Sequence, residues 1–245
     1  MRNNKKNQLL CDRKILVTGA SGGIGFAVTH MLLENGAIVY AVCNKNCHKL
    51  TSLIEQYNNL QIVNIDLDHF IDKDKLNLPA IDSLIYCAGA PSLLSIENAT
   101  HDELSKQLQL HVLAPLLLVQ KLFSINTPYF KDIILLSSIA GVNLNHKSGA
   151  YGLSKACEIS LSKMLGNWLG PLGVRVNTIA PNWVSTEMAD FVIGASGQEV
   201  DDVKRSFVEN DFLQPTEIAQ LCYMILTSKI SHLHNQIFVL DLLKS

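Results

Sequence analysis

A doubly wound α/β fold, with one parallel sheet and helices on both faces, is predicted by three features of the chain. Apolar runs recur with helical segments between them, and the runs are continuous rather than alternating, as strands buried on both faces require. The first run passes directly into a glycine-rich turn that opens a helix. Strands are expected at Lys14–Thr18, Ile38–Val42, Gln61–Ile65, Ser83–Cys87, Asp132–Ser137, Arg175–Ala180 and Gln236–Leu240. Helices are expected near Ile24–Glu34, Lys49–Tyr57, His101–Phe123, Tyr151–Leu169 and Thr216–Thr227. Unbroken β-α alternation predicts one domain over 14–245, preceded by a polar tail over 1–13.

Composition narrows the function classes. The 245 residues are 48% hydrophobic and 17% charged, against a usual charged share of about 25%. That excludes disorder and predicts surface covered by another copy. A net charge of -2 provides no global basic field for nucleic acid or an anionic membrane. The longest apolar run, Val112 to Val119, is far below the roughly 18 residues of a membrane span. Met1 to Lys14 has cations but no apolar core, so it does not read as a secretion signal, and a cytoplasmic setting is expected. The six scattered cysteines are expected to be reduced thiols. Cys43, Cys47 and His48 cluster without a second ligand pair, so no metal is expected.

Each element carries its part of a site. The first strand, KILVT, runs into Gly19-Ala20-Ser21-Gly22-Gly23-Ile24-Gly25. Glycines permit a tight turn, close approach to a pyrophosphate and packing of helix on strand, and the helix amides then face the anion. The segment TGASGGIG resembles the TGxxxGxG signature of the short-chain dehydrogenase/reductase family, and later segments extend the likeness over nearly the whole chain. The resemblance implies a Rossmann-type domain, a nicotinamide cofactor held by Gly19, Ser21, Gly22, Gly23, Ile24 and Gly25, and a homodimer or homotetramer.

The second strand ends in Cys43-Asn44-Lys45-Asn46, without the acid that would accept from a ribose 2′-hydroxyl. NADP(H) is therefore expected over NAD(H), with Asn44 and Lys45 as phosphate contacts. After the third strand, Asp66 matches the family's adenine-contacting aspartate, with Leu67 beside it. Tyr86-Cys87-Ala88-Gly89 stands where the family has NNAG, and Cys87, Ala88 and Gly89 keep the cofactor close to the strand end.

In the long helix, His111 occupies the position of the family's catalytic asparagine. Pro115 lacks an N–H and cannot bond the carbonyl four residues earlier, so the His111 carbonyl is expected to be released at a kink and to hold a relay water. The fifth strand ends in Ser137-Ser138, and Tyr151-Gly152-Leu153-Ser154-Lys155 follows. Tyr151 and Lys155, at i and i+4, share a helix face, where an ammonium favours an ionised phenol. With Ser138 these residues resemble the family's triad: Ser138 bonding the substrate oxygen, Tyr151 exchanging a proton, Lys155 tuning Tyr151 and binding the cofactor ribose. After the sixth strand, Pro181-Asn182-Trp183-Val184-Ser185-Thr186 resembles PGxxxT, implying cofactor contacts from Pro181, Val184 and Thr186. Asn182 replaces glycine, as left-handed backbone tolerates. Residues 187–214 carry no strand pattern and are expected to form a mobile lid.

Among relatives, spacing and the segment Gln214-Pro215-Thr216-Glu217-Ile218-Ala219 look most like the 3-oxoacyl-[acyl-carrier-protein] reductases. This implies reduction of a 3-oxoacyl thioester in fatty-acid, polyketide or polyene synthesis, with acyl carrier protein as partner. The carrier-docking positions are occupied by Tyr129 and Leu172, and Lys131, Lys163 and Arg175 are the candidate substitutes. Two further readings stay open: a reductase of a free small ketone, sugar or quinone, and a non-catalytic nucleotide-binding regulator. The family's tetramer-forming end is altered here by Leu242 and Leu243.

Overall fold

The computed structural model describes residues 9–44, 47–70, 72–73, 76–126, 129–197 and 212–241. Its sheet has seven strands, β1 (Lys14–Thr18), β2 (Ile38–Cys43), β3 (Leu60–Asn64), β4 (Ser83–Tyr86), β5 (Asp132–Leu136), β6 (Arg175–Pro181) and β7 (Ile237–Leu240). They run parallel in the order β3-β2-β1-β4-β5-β6-β7. The order reverses between β1 and β4, where Leu16 pairs with Leu84, so ligands are expected beyond the carboxyl ends of those two strands.

The strands' continuous apolar runs are covered on both sides. One layer holds α1 (Gly23–Glu34) and α7 (Pro215–Thr227), packed over Val17, Val39 and Ile179. The other holds α4 (Ala114–Asn126) and α5 (Gly149–Leu169), packed over Leu84, Ile133 and Val176. The short helices α2 (His48–Gln56) and α3 (His101–Leu108) complete the frame, and α6 (Glu187–Ala195) stands beyond β6.

Three expectations change here. The end of the predicted polar tail is fixed: Leu10 is fully buried in the core, and the Arg13 N–H donates to its carbonyl at 3.0 Å. Below the sheet, Arg13, expected in the tail, and Arg175, expected as a docking cation, each donate to Asp132 at 2.7 Å and so belong to the frame of the domain. The third change is in the long helix, which is not continuous α. Gln109–Leu113 forms a π turn between α3 and α4, with the Ala114 N–H donating to the Gln109 carbonyl. By length and composition the stretch His101–Asn126 could cross a bilayer, but Ala114, Leu118, Val119 and Leu122 are buried within the domain.

Candidate active site

The turn between β1 and α1 is built for close approach. Gly19 has φ +61°, and a Cβ there would lie 2.9 Å from backbone atoms of Cys87 and Ala88. A Cβ on Gly25 would lie 2.1 Å from the Gly19 carbonyl oxygen. Ser21, Gly23 and Ile24 are partly exposed along the turn, and Gly22 caps α1 without a side-chain hydrogen bond. The first amides of α1 therefore lack a side-chain acceptor, the arrangement that receives a phosphate. Thr18 closes the turn from below: its hydroxyl accepts from the Cys87 and Ala88 amides, each at 3.1 Å. The residues present thus fit a dinucleotide.

At the ends of β2 and β3, Asn44 donates to Asp66 at 3.1 Å, and the Asp66 carboxylate also accepts from the Asp68 amide at 3.2 Å. Leu67 is buried next to it. Lys45 lies outside the described residues. The expectation of reduced thiols fails at one pair: Cys43 and Cys47 form a disulfide across the turn that holds Asn44, with Cα atoms 5.9 Å apart. A separation of four residues at a strand-to-helix turn brings the two Cβ atoms within bridging reach. Cys11, Cys87, Cys157 and Cys222 are free thiols.

A cavity of about 530 Å³ opens at the carboxyl end of the sheet and is lined by Ser138, Tyr151 and Lys155. Ile24, Cys87, Gly89, Pro181, Val184 and Thr186 line the same cavity. Ser138 sits just past β5, and its oxygen accepts from the Ala140 amide at 3.2 Å, leaving its O–H free to donate. Tyr151 stands in the first turns of α5. Lys155 is buried one turn below, its Nζ 5.9 Å from the Tyr151 ring centroid. Two of its three donors are engaged, with the Leu136 carbonyl at 2.8 Å and Glu158 Oε2 at 2.9 Å. Glu158 is wholly buried, and burial pushes its carboxyl up to about 7, with Lys155 pulling the other way.

His111 is also wholly buried. The Ser154 hydroxyl donates to the Tyr151 carbonyl at 2.8 Å, so the 2.8 Å contact with His111 is an Nδ1–H donating to Ser154. Nε2 is then a bare acceptor, without a partner among the described residues. It looks toward the space above Gly89, where a Cβ would lie 3.2 Å from it and 3.8 Å from Lys155 Nζ. Burial, and then the Lys155 charge, hold the imidazole well below its ordinary value, so it is neutral.

Pro115 follows the π turn directly, and at the i to i+5 spacing that Ala114 takes, the donor it lacks would have reached Leu110. The Leu110 carbonyl is supplied instead by the Tyr86 hydroxyl at 2.6 Å.

Thr186 packs its methyl against Gly23 and caps α6, accepting from the Ala189 amide at 3.3 Å. Asn182 does not take the left-handed backbone expected of it: among the described residues only Asp12 and Asn235 do so without being glycine. Its oxygen instead accepts from the Trp183 amide, and its amide donates to Asp241, both at 2.8 Å. Trp183 both lines the cavity and stacks near Phe212, with ring centroids 6.0 Å apart. Of the predicted lid, α6 is helical, and 198–211 lie outside the described residues.

Two of the three expected docking cations lie away from the cavity. Lys131 and Arg175 lie at the amino end of the sheet, opposite the cavity, and Arg175 is committed to Asp132. Lys147, at the cavity lip, went unremarked in the sequence. So did Thr18 and Glu158, although the motif TGxxxGxG contains the first and the helical spacing after Tyr151 and Lys155 reaches the second.

Fold and cavity together define a nicotinamide-dependent oxidoreductase. A family model described as short chain dehydrogenase matches residues 13–193, and the chain belongs to that family. It is 29% identical over 238 residues to the uncharacterized oxidoreductase YmfI of Bacillus subtilis, covering 92% of this chain and 96% of that protein. It is 23% identical to the 3-oxoacyl-[acyl-carrier-protein] reductase FabG of Rickettsia bellii, covering 93% and 94%. Among solved structures, a putative NAD(P)-dependent gluconate 5-dehydrogenase from Beutenbergia cavernae with bound NADP superposes with a TM-score of 0.84 at 19% identity, covering 96% and 97%.

Proposed function

We propose that the protein is an NADP(H)-dependent ketoreductase acting on a 3-oxoacyl thioester carried by acyl carrier protein. The observation that carries the reading is that Ser138, Tyr151 and Lys155 face one cavity with Ile24, Pro181, Val184 and Thr186 at the switch point of the sheet. When bound there, the reduced nicotinamide supplies hydride to the keto carbon. Ser138 donates a hydrogen bond to the keto oxygen, and Tyr151 donates the proton that completes the alcohol. The third donor of Lys155 would hold the cofactor ribose. His111 Nε2, facing the same space as Lys155, holds the water that returns a proton toward Tyr151. The absence of an acid at Asn44 supports NADP(H), and Lys147 at the lip supplies positive charge for an anionic carrier or thioester tail.

A second reading, a free small ketone or sugar, is favoured by the placement of Lys131 and Arg175 away from the entrance. NADPH oxidation with acetoacetyl-carrier protein, acetoacetyl-coenzyme A and a set of free ketones and keto-sugars separates the two. Preference for the carrier thioester, reduced severalfold by Lys147→Glu, supports the first reading. Turnover confined to free ketones overturns it.

The chain is further proposed to pair with a second copy through α5, where Leu153, Met164 and Trp168 share an exposed helical face and Trp168 meets Phe123 with ring centroids 5.3 Å apart. Leu242 and Leu243 lie outside the described residues.

A further inference from the structure

Glu158 has no part in the triad, yet it continues the same stripe of α5: Tyr151, Lys155 and Glu158 fall at i, i+4 and i+7. A buried carboxylate is retained only where it is paired, and the partner here is Lys155, 2.9 Å away with both side chains buried.

Among the described residues, the other titratable groups that face this pair from the end of β4 and from the π turn are uncharged at neutral pH. From the end of β4, burial pushes the Cys87 thiol up to about 12 and the Tyr86 phenol well above its ordinary value. From the π turn, His111 is held neutral. From the end of β5 and the residue after it come the Leu136 carbonyl and the Ser137 hydroxyl, which donates to the Lys155 carbonyl at 3.0 Å and lies within reach of the Glu158 carboxyl. Asp68, at the surface, bears on Tyr86 and not on Glu158. Lys155 Nζ thus stands between the Tyr151 ring, 5.9 Å to its centroid, and Glu158 Oε2 at 2.9 Å, while Lys147 lines the same cavity from its exposed side. An ammonium alone draws the proton off a neighbouring phenol; an adjacent carboxylate opposes this.

We infer that Glu158 is a positioning residue whose carboxylate offsets the charge of Lys155 and so weakens the pull of that ammonium on the Tyr151 proton, suiting the site to give a proton rather than take one. The inference rests on Tyr151 as the acid of the proposed reaction and specifies the direction in which the site is tuned.

The test needs neither cofactor nor substrate, so its outcome is separate from that of the ketoreductase reading. Tyrosinate absorbance is titrated in the wild type and in Glu158→Gln, with the corresponding Tyr151→Phe background subtracted. Loss of the carboxylate should lower the Tyr151 midpoint by about one pH unit, a tenfold gain in phenolate at a given pH. Glu158→Asp, which keeps the charge, should restore most of the difference. A midpoint that stays or rises in Glu158→Gln overturns the inference. Should that variant fail to fold, the ring-carbon NMR signal of Tyr151 in the wild-type protein gives the same answer. It should shift as Glu158 gains its charge near neutrality, and a flat signal there overturns the inference.

Discussion

The Tyr86 hydroxyl donates to the Leu110 carbonyl at 2.6 Å, joining the end of β4 to the π turn of the long helix. Pro115 creates the need and Tyr86 meets it: the carbonyl that has no backbone donor in the π register is the one the phenol reaches. The bond fixes the residue next to His111, whose Nε2 faces Gly89.

Tyr86→Phe should therefore strand a buried carbonyl and cost about 1–3 kcal/mol of stability. Pro115→Ala restores an N–H to the helix and should recover part of that loss. Chemical denaturation of the two single variants and the double variant checks this, and strictly additive losses would contradict the coupling.

His111→Ala removes the Nε2 acceptor beside Lys155 and should lower turnover by about tenfold or more, since a positioned proton relay contributes on the scale of general acid-base catalysis. His111→Asn, which keeps a polar group, should lose less. Equal turnover in all three proteins would place the relay elsewhere. Because the folded imidazole is held below its ordinary value of 6.5, wild-type stability should fall as pH drops below that value, and His111→Asn should lack this decline.

The sheet was legible in the sequence because strands buried on both faces must be apolar throughout, and all seven fall within a residue or two of their expected bounds. The glycine turn and the Tyr151–Lys155 pair were legible because both depend on short, fixed spacings. Features decided by contacts between distant segments were not. A π turn leaves no mark in apolar periodicity, so the Leu110 carbonyl met by Tyr86 could not be read from the position of Pro115. Asn182 could be read as a left-handed residue until Asp241 and the Trp183 amide were seen to hold it. Glu158, three residues after a lysine, reads as an ordinary helix-surface pair until the packing of α5 buries it. Arg175 resembled a docking cation because its partner, Asp132, is 43 residues away.

Glu158 gives a pH signature in stability as well. Its carboxyl is raised from 4.5 to about 7 in the folded protein. The folded state therefore holds the proton more tightly than the unfolded chain. The resulting contribution to stability is complete below pH 4.5 and is lost as pH rises to about 7. The stability of the wild type relative to Glu158→Gln should fall across that window and level off above it. Thermal melting of both proteins at several pH values checks this, and a constant difference would contradict it.

The Cys43–Cys47 disulfide closes the turn that carries Asn44. Reduction with dithiothreitol should loosen that turn and weaken NADPH binding severalfold, read by fluorescence of the bound cofactor. Cys47→Ser should show the weaker affinity with or without reductant. Unchanged affinity on reduction of the wild type would separate the disulfide from the cofactor site.

The central claim is that Tyr151 is the acid of a ketone reduction. The direct measurement is NADPH oxidation with acetoacetyl-coenzyme A by the wild type and by Tyr151→Phe, beside the NADPH affinity of each. The expected result is turnover by the wild type, a loss of about 100-fold or more in the variant, and closely similar affinities. Undiminished turnover in Tyr151→Phe, or tight NADPH binding without turnover by the wild type on this or any free ketone, would contradict it; the latter would point to a nucleotide-binding regulator.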